Sequence, residues 1–410
     1  MQSKPFWPII SGLTIVYFLF LNISLVTAVD LKYSSCSAVI DGLLPVTGGH
    51  KVYYEIHDIQ DLDCPKIKSN IIIKRKQNLL YFHGGWGPQS TDLNVVPLEI
   101  YRTVYFHQRG WGKSEPIGAI FNNSIEDVVE DAKLIYDNFI DHNTCADADH
   151  SSKDICENGG KDEIKIVVHG GSNGATMALL FAAKYSEIVS EVVLRGYWGM
   201  NLDHLSWDYL GAYGKRLFYP KEWETVCDIV GCSELENLNE KYSDILMKYN
   251  EKLVGPKENV LCEDDSSSDL CKTVLFNACS FLRYDAAGSS VKTVPNDPCR
   301  WDDNATPAWY QIHPVAAARI GIHLYLTNTD NPLPDITNLV AQKVPVNFIH
   351  GRYDMLCPPA FGHDLVKMAE NKNSEIGTWK LTIVEHAAHS GNDPGMSEAI
   401  QDALREIIFR

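Results

Sequence analysis

Residues 167–180 read VVHGGSNGATMALL, a β-branched run that enters two glycines, a serine, an asparagine and a third glycine before a helix-forming stretch. Two chemistries use such a turn. One is a glycine-rich cradle for phosphate; the other is a serine nucleophile held between a strand and a helix. A phosphate loop needs a Lys-Ser/Thr pair after its last glycine, and a dinucleotide fingerprint needs wider glycine spacing with an acid beyond the next strand. Neither ending is present. The segment does satisfy Gly-x-Ser-x-Gly, with Gly170 and Gly174 around Ser172, and the main-chain amide of Asn173 follows where an oxyanion would form.

A serine hydroxyl is a weak nucleophile until a histidine takes its proton and a carboxylate orients that histidine. In chain order the acid should come next and the histidine last, each just past a later strand. Asp354 ends VNFIHGRYD and His389 ends LTIVEHAAH. Taken singly, Asp354 reads as a turn former and His389 as a surface loop residue; the joint order and placement favour catalysis. His386 competes for the role of base. The HAAH spacing lacks a glutamate between its histidines and a third ligand motif, so no metal is expected. A second oxyanion donor should come from the loop after an earlier strand. YFHGGWGPQS (81–90) supplies one, with Gly85 the preferred amide and His83 a structural loop residue.

The elements that must hold these groups can be read from hydrophobic patterning. NLLYFHGG (78–85), YRTVYFHQRG (101–110), IKIVVHGG (164–171) and SEVVLRGYWG (190–199) are almost wholly apolar before reaching glycine, as strands buried on both faces must be. KVYYEIH (51–57) and SNIIIKR (69–75) read as a leading hairpin. Helical spacing occupies 125–140 and 174–188, and the pattern resumes in 343–354, 378–389 and a closing helix over 396–409. The alternation predicts an α/β fold with a mostly parallel sheet and helices on both faces. Residues 142–163 read as a surface insertion. Residues 200–335, rich in Trp, Tyr, Cys and acids, predict a mostly helical cap inserted after the sixth strand. The sheet domain is therefore expected in two parts, 29–199 and 336–410.

Composition bounds the setting. The chain has 410 residues, 45% hydrophobic and 22% charged, with a formal net charge of −17. That charge, with no basic stripe, excludes nucleic acid as a partner. Residues 1–28 read as a secretory signal, a lysine followed by an apolar run ending in Val26-Thr27-Ala28, with an uncleaved membrane anchor as the alternative. All eleven cysteines lie beyond it, as expected in an oxidising compartment. Local spacing offers Cys145–Cys156, Cys227–Cys232 and Cys262–Cys271, then Cys36–Cys64 and Cys279–Cys299, without fixing connectivity; Cys357 is the candidate for the odd thiol. Asn122 and Asn304 open glycosylation sequons.

With these residues in place, the chain resembles a known family. HGGWG (83–87), QRGWGKSEP (108–116), GGSNGATMAL (170–179), VVLRG (192–196), GRYDMLCPP (351–359) and AHS (388–390) together are similar to the proline iminopeptidases, α/β-hydrolases of the prolyl aminopeptidase group. WDYLGAYGKRLFYPKEW (207–223) and AAARIGIHLYL (316–326) resemble that family's cap helices. The resemblance implies an α/β-hydrolase fold, nucleophile Ser172, acid Asp354, base His389 and oxyanion amides from Asn173 and Gly85, with no cofactor. It further implies that Cys357 is unpaired, and that Trp86, Tyr284 and Asp285 contact substrate, Asp285 through the substrate's free amine. A second acid expected in ARIE is absent, because the segment reads ARIG and ends in Gly321. His107 stands where the family has Asp, and Asn173 where it has Trp.

The implied activity is a secreted serine aminopeptidase that releases N-terminal residues, proline by resemblance, from peptides. Gly321 keeps open an esterase or broader exopeptidase on the same machinery, since an ammonium leaving water needs anionic partners. A non-catalytic binding protein is the remaining alternative.

Overall fold

Seven of the expected strands and one that was not expected form, in the computed structural model, one eight-stranded sheet. The structure describes residues 38–58, 76–85, 87–88, 92–141, 164–199, 202–209, 214–231, 242–254, 269–291, 314–327, 334–373 and 378–407. The strands are β1 (Ala38–Pro45), β2 (Lys51–Asp58), β3 (Gln77–Phe82), β4 (Tyr101–His107), β5 (Ile166–Gly171), β6 (Val189–Arg195), β7 (Val346–Gly351) and β8 (Trp379–Val384). Their order is β1-β2-β4-β3-β5-β6-β7-β8. β2 pairs antiparallel with β1 and β4, and every pairing from β4 onward is parallel.

The uniformly apolar strands follow from burial on both faces. Leu80, Phe82, Val104, Phe106, Val168, Val192 and Phe348 point into one core. Their sequence neighbours Leu79, Tyr81, Tyr105, Val167, Val193 and Ile349 point into another. The first is covered by α1 (Ile125–Tyr136), α2 (Asn173–Lys184) and the later α9 (Pro359–Lys372). The second is covered by a short turn of helix at Asp92–Val95 and by the C-terminal α10 (Met396–Glu406) through Met396, Ile400 and Leu404. The hydroxyl of Tyr101 in β4 donates to the Leu404 carbonyl at 2.6 Å, fixing α10 to the sheet.

Between β6 and β7 lie α3 (Leu202–Tyr209), α4 (Pro220–Val230), α5 (Tyr242–Val254), α6 (Asp269–Ala286), α7 (Pro314–Thr327) and the short α8 (Thr337–Ala341). The first five fall in the interval read as a cap. Their buried Leu205, Trp223, Ile245, Phe281 and Ile320 belong to the same core as the sheet's first face, and residues 37–410 form one compact unit.

The leading hairpin differs from the sequence reading. β2 pairs with Ala38–Pro45 across a turn at Thr47–Gly49, in which Gly48 and Gly49 have φ of 74° and 82°. Residues 69–75 lie outside the described residues, as do the signal segment 1–28 and the insertion 142–163. The Asp-Gly pair inside AVIDGLLP disguised β1 by interrupting its apolar alternation. No helix among the described residues is long and apolar enough to cross a membrane. Cys227, Cys271 and Cys279 are disulfide-bonded; Cys232, Cys262 and Cys299, offered for them on spacing, lie outside the described residues. Cys357 is a free, buried thiol.

One buried ion pair clamps the front of the sheet. Arg109 Nε donates to Asp131 Oδ2 at 2.6 Å and Nη2 to Oδ1 at 2.8 Å, both side chains being almost fully enclosed. Deleting the carboxylate leaves the buried guanidinium only the partly exposed Asp127, 3.4 Å away, as an anionic partner. Asp131→Ala is therefore expected to lower unfolding free energy by about 3–5 kcal/mol in urea titration. A loss below about 1 kcal/mol would show that the pair does not hold the fold.

Candidate active site

The turn between β5 and α2 is closed by absent side chains. Ser172 takes φ 58° and ψ −128°, a conformation that costs a residue with a Cβ roughly 1–3 kcal/mol. A Cβ on Gly170 would sit 2.3 Å from the Gly174 carbonyl oxygen. One on Gly174 would sit 2.3 Å from the carbonyl oxygens of Phe82 and His83. Both glycines are thus required by the close approach of β3, β5 and α2. The helix that follows buries Ala175, Met177, Ala178, Leu179, Phe181 and Ala182, and this packing holds the turn in its strained form.

Asp354 and His389 meet beyond β7 and β8. His389 Nδ1 lies 2.8 Å from Asp354 Oδ2, and both side chains are buried. The other carboxylate oxygen, Oδ1, accepts the main-chain amides of Leu356 at 3.1 Å and Cys357 at 2.8 Å. Burial alone would raise the Asp354 pKa, but the charge and hydrogen bond of His389 outweigh it and hold the carboxyl below its ordinary value. Asp354 thus stays anionic and fixes Nδ1 as the protonated nitrogen. His386, the competing base, is exposed.

The end of β6 joins this pair to the serine. The Ser172 amide donates to the Arg195 carbonyl at 2.9 Å, and Arg195 Nη1 donates to the His389 carbonyl at 2.7 Å. Gly196, at φ 54°, lies against the imidazole: a Cβ there would be 2.8 Å from His389 Nδ1 and 3.3 Å from Asp354 Oδ2. Asp393 secures the histidine loop from the other side. Its Oδ2 accepts the Ala388 amide at 2.7 Å, while Ser290 Oγ donates to its Oδ1 at 2.5 Å.

Two buried neutral histidines align the loops. His83 has its Nδ1 2.8 Å from the Gly84 carbonyl and accepts the Gln108 amide at Nε2, 3.0 Å away, while Gln108 Nε2 donates back to the His83 carbonyl at 2.9 Å. His350 bridges the Cys357 carbonyl at 3.1 Å and the Tyr197 amide at 3.3 Å. Burial pushes both down to about 4, so each keeps one donor and one acceptor nitrogen at neutral pH. His107 is likewise buried, its pKa lowered well below the ordinary value by burial, and its Nδ1 accepts the Lys113 amide. These are positioning roles.

Ser172, Asn173 and Gly85 open on one cavity with Trp198, Asp208, Asp285, Tyr325, Leu356 and Cys357. Asn173 covers Gly85 closely; a Cβ on Gly85 would reach within 2.3 Å of the asparagine amide nitrogen. Of the residues implied to contact substrate, Asp285 lines the cavity. Tyr284 is buried and is not among the residues that line it. It precedes Asp285 by about 100° of helical rotation, and its ring packs against Trp223 and Tyr209 while its hydroxyl donates to the Asp208 carbonyl at 2.6 Å. Trp86 and Asn304 lie outside the described residues; Asn122 is exposed. Gly321 is buried in α7, and a Cβ there would meet only Phe281, at 3.9 Å.

Asp208, Lys215, Arg195, His350 and Asp393 were missed by sequence reading. Arg195 sits in the quoted VVLRG and Asp208 in the quoted WDYLG, but neither stretch says which way a side chain points.

Asp354, Cys357 and His389 bring three possible ligand atoms within 4.8 Å of one another among the described residues. The set does not fit a zinc ion. Asp354 and His389 spend atoms on each other, and burial raises the Cys357 thiol well above its ordinary pKa, whereas zinc takes the thiolate.

The strand order and this site define a class. The family profile for the alpha/beta hydrolase fold matches residues 77–220, and with the eight-stranded sheet the chain has the α/β-hydrolase fold. It is 26% identical over 328 residues to a proline iminopeptidase of Arabidopsis thaliana, covering 78% of this chain and 70% of that one. It is also 26% identical over 372 residues to a protein named putative proline iminopeptidase in Mycoplasma pneumoniae, covering 89% and 96%. A solved α/β-fold family hydrolase from Bacillus anthracis is 13% identical, covering 90% of this chain and 99% of that one at a TM-score of 0.48. Over most of its length the chain is thus similar to proteins named proline iminopeptidase.

Gly196→Ala should crowd the imidazole without touching the core. The expected outcome is a fall in kcat of about 100-fold, the scale of a 1 Å misplacement, with far-UV circular dichroism retained. Unchanged turnover would show that Gly196 does not hold His389 in place.

Proposed function

We propose that the protein is a serine aminopeptidase that releases N-terminal residues, proline by kinship, from peptides in a secretory or lumenal compartment. The observation that carries this reading is the shared cavity: the turn serine and its neighbouring amides open on the same space as the carboxylates of Asp208 and Asp285. A nucleophile facing anionic side chains suits a substrate whose reactive carbonyl belongs to the same residue as a cationic amine.

In this reading Ser172 Oγ attacks the carbonyl carbon of the first residue while His389 Nε2 takes the hydroxyl proton. Asp354 holds the imidazole in the required tautomer and stabilises the imidazolium. The amides of Asn173 and Gly85 receive the oxyanion. The tetrahedral adduct collapses as His389 returns the proton to the departing peptide amine, leaving an acyl-enzyme. Water, deprotonated by His389, then frees the amino acid and restores the serine. No cofactor enters these steps.

The bonded cysteines support an oxidising compartment for the folded part. The reading includes cleavage of the 1–28 signal and glycans at exposed Asn122 and at Asn304. Esterase activity is the second reading, favoured by Gly321 in place of an acid.

Purified protein offered proline, alanine and N-acetyl-proline arylamides should cleave the free-amine proline substrate at least about 100-fold faster than its acetylated form. Equal rates would favour the esterase reading. Ser172→Ala and Asp354→Asn should each lower kcat by roughly 10⁴-fold with the fold intact; retention of a tenth of the activity in either would remove that residue from the mechanism.

A further inference from the structure

The recess that holds Asp285 contains a second acid, which no resemblance assigned. Asp208, near the end of α3, is 5% exposed and lines the cavity with Asp285 and Ser172. Asp285 accepts the hydroxyls of Tyr209 at 2.8 Å and Tyr325 at 3.2 Å, both on Oδ1. Asp208 Oδ1 stands 3.2 Å from Lys215 Nζ. That ammonium is wholly buried, donates to the Asp285 carbonyl at 3.1 Å and lies 4.7 Å from the Tyr284 ring centroid.

The charges in this recess do not cancel. With both carboxylates ionised, Lys215 balances only one of them, which leaves one negative charge uncompensated beside the nucleophile. An excess charge under burial is costly unless a cation arrives to meet it. Burial, partly offset by Lys215 and reinforced by Asp285, pushes Asp208 up to about 7, so the carboxyl holds its proton part of the time at neutral pH until a cation meets it. A substrate ammonium would supply that charge. Gly321 offers none of this: its Cβ position faces Phe281, and it does not line the cavity.

We propose that Asp208, braced by Lys215, is a specificity-determining residue that forms with Asp285 the two-carboxylate seat for the substrate's cationic amine. The proposal rests on the aminopeptidase reading and names the residue that takes the place of the acid missing at Gly321. Lys215 holds the Asp208 carboxylate in place and leaves one net charge for the ligand.

The test compares kcat/KM for proline p-nitroanilide with kcat/KM for p-nitrophenyl acetate, which has no amine. In Asp208→Asn the ratio should fall at least about 10-fold, chiefly through the KM of the anilide, as for loss of one partner of a buried charge contact. Because Asn leaves Lys215 buried and unpaired, Asp208→Asn/Lys215→Met is measured beside it. The double variant restores the single net negative charge and should keep the lowered ratio. Return of the ratio to the wild-type value in the double variant would make Asp208 only the counter-ion of Lys215 and overturn the proposal. An unchanged ratio in the single variant would overturn it as well. A wild-type enzyme indifferent to acetylation of the amine would instead remove the aminopeptidase reading, and the proposal with it.

Discussion

The turn at Ser172 is the constraint on which the rest of the molecule depends. A non-glycine residue at φ 58° and ψ −128° is strained, and it persists only because the surroundings leave no alternative. Gly170 and Gly174 allow β3, β5 and α2 to close to distances at which any Cβ would strike backbone. The apolar first turns of α2 then anchor the helix in the core. The strain presents the serine, and its following amide, to the cavity rather than to the sheet.

The other groups reach that point by chains of hydrogen bonds rather than by rigid strands alone. Asp354 and His389 ride on loops three and five residues beyond β7 and β8. Those loops are held by His350, Arg195 and Asp393, and the glycine loop after β3 by His83 and Gln108. Each of these contacts engages a main-chain group, so each fixes the loop path itself. The neutrality of His83 and His350 matters here, since a protonated imidazole would lose the acceptor that each uses.

Much of this was legible in the sequence because the physics is local. A strand buried on both faces must be apolar throughout, and a strained strand-to-helix turn must be rich in glycine; both show in IKIVVHGGSNGAT. The strand-end positions of Asp354 and His389 follow from the same reasoning, whereas the choice between His386 and His389 rests on burial and on the bond to Asp354. β1 was missed because Asp-Gly breaks its alternation. Tyr284 and Asp285 were paired by the family resemblance, yet a helix sends adjacent side chains about 100° apart, and only Asp285 lines the cavity. Asp208 stayed invisible for the converse reason. Its partners Lys215 and Asp285 lie on other elements, and only the packing of α3 against α6 gives the carboxylate its place in the cavity.

The central claim is that Ser172, activated by His389, is the nucleophile. Incubation with a fluorophosphonate, followed by digestion and mass spectrometry, tests it most directly. The account predicts one adduct, on Ser172, formed at least about 100-fold more slowly in His389→Ala. An adduct on another residue, or labelling of Ser172 at an unchanged rate without His389, would contradict it.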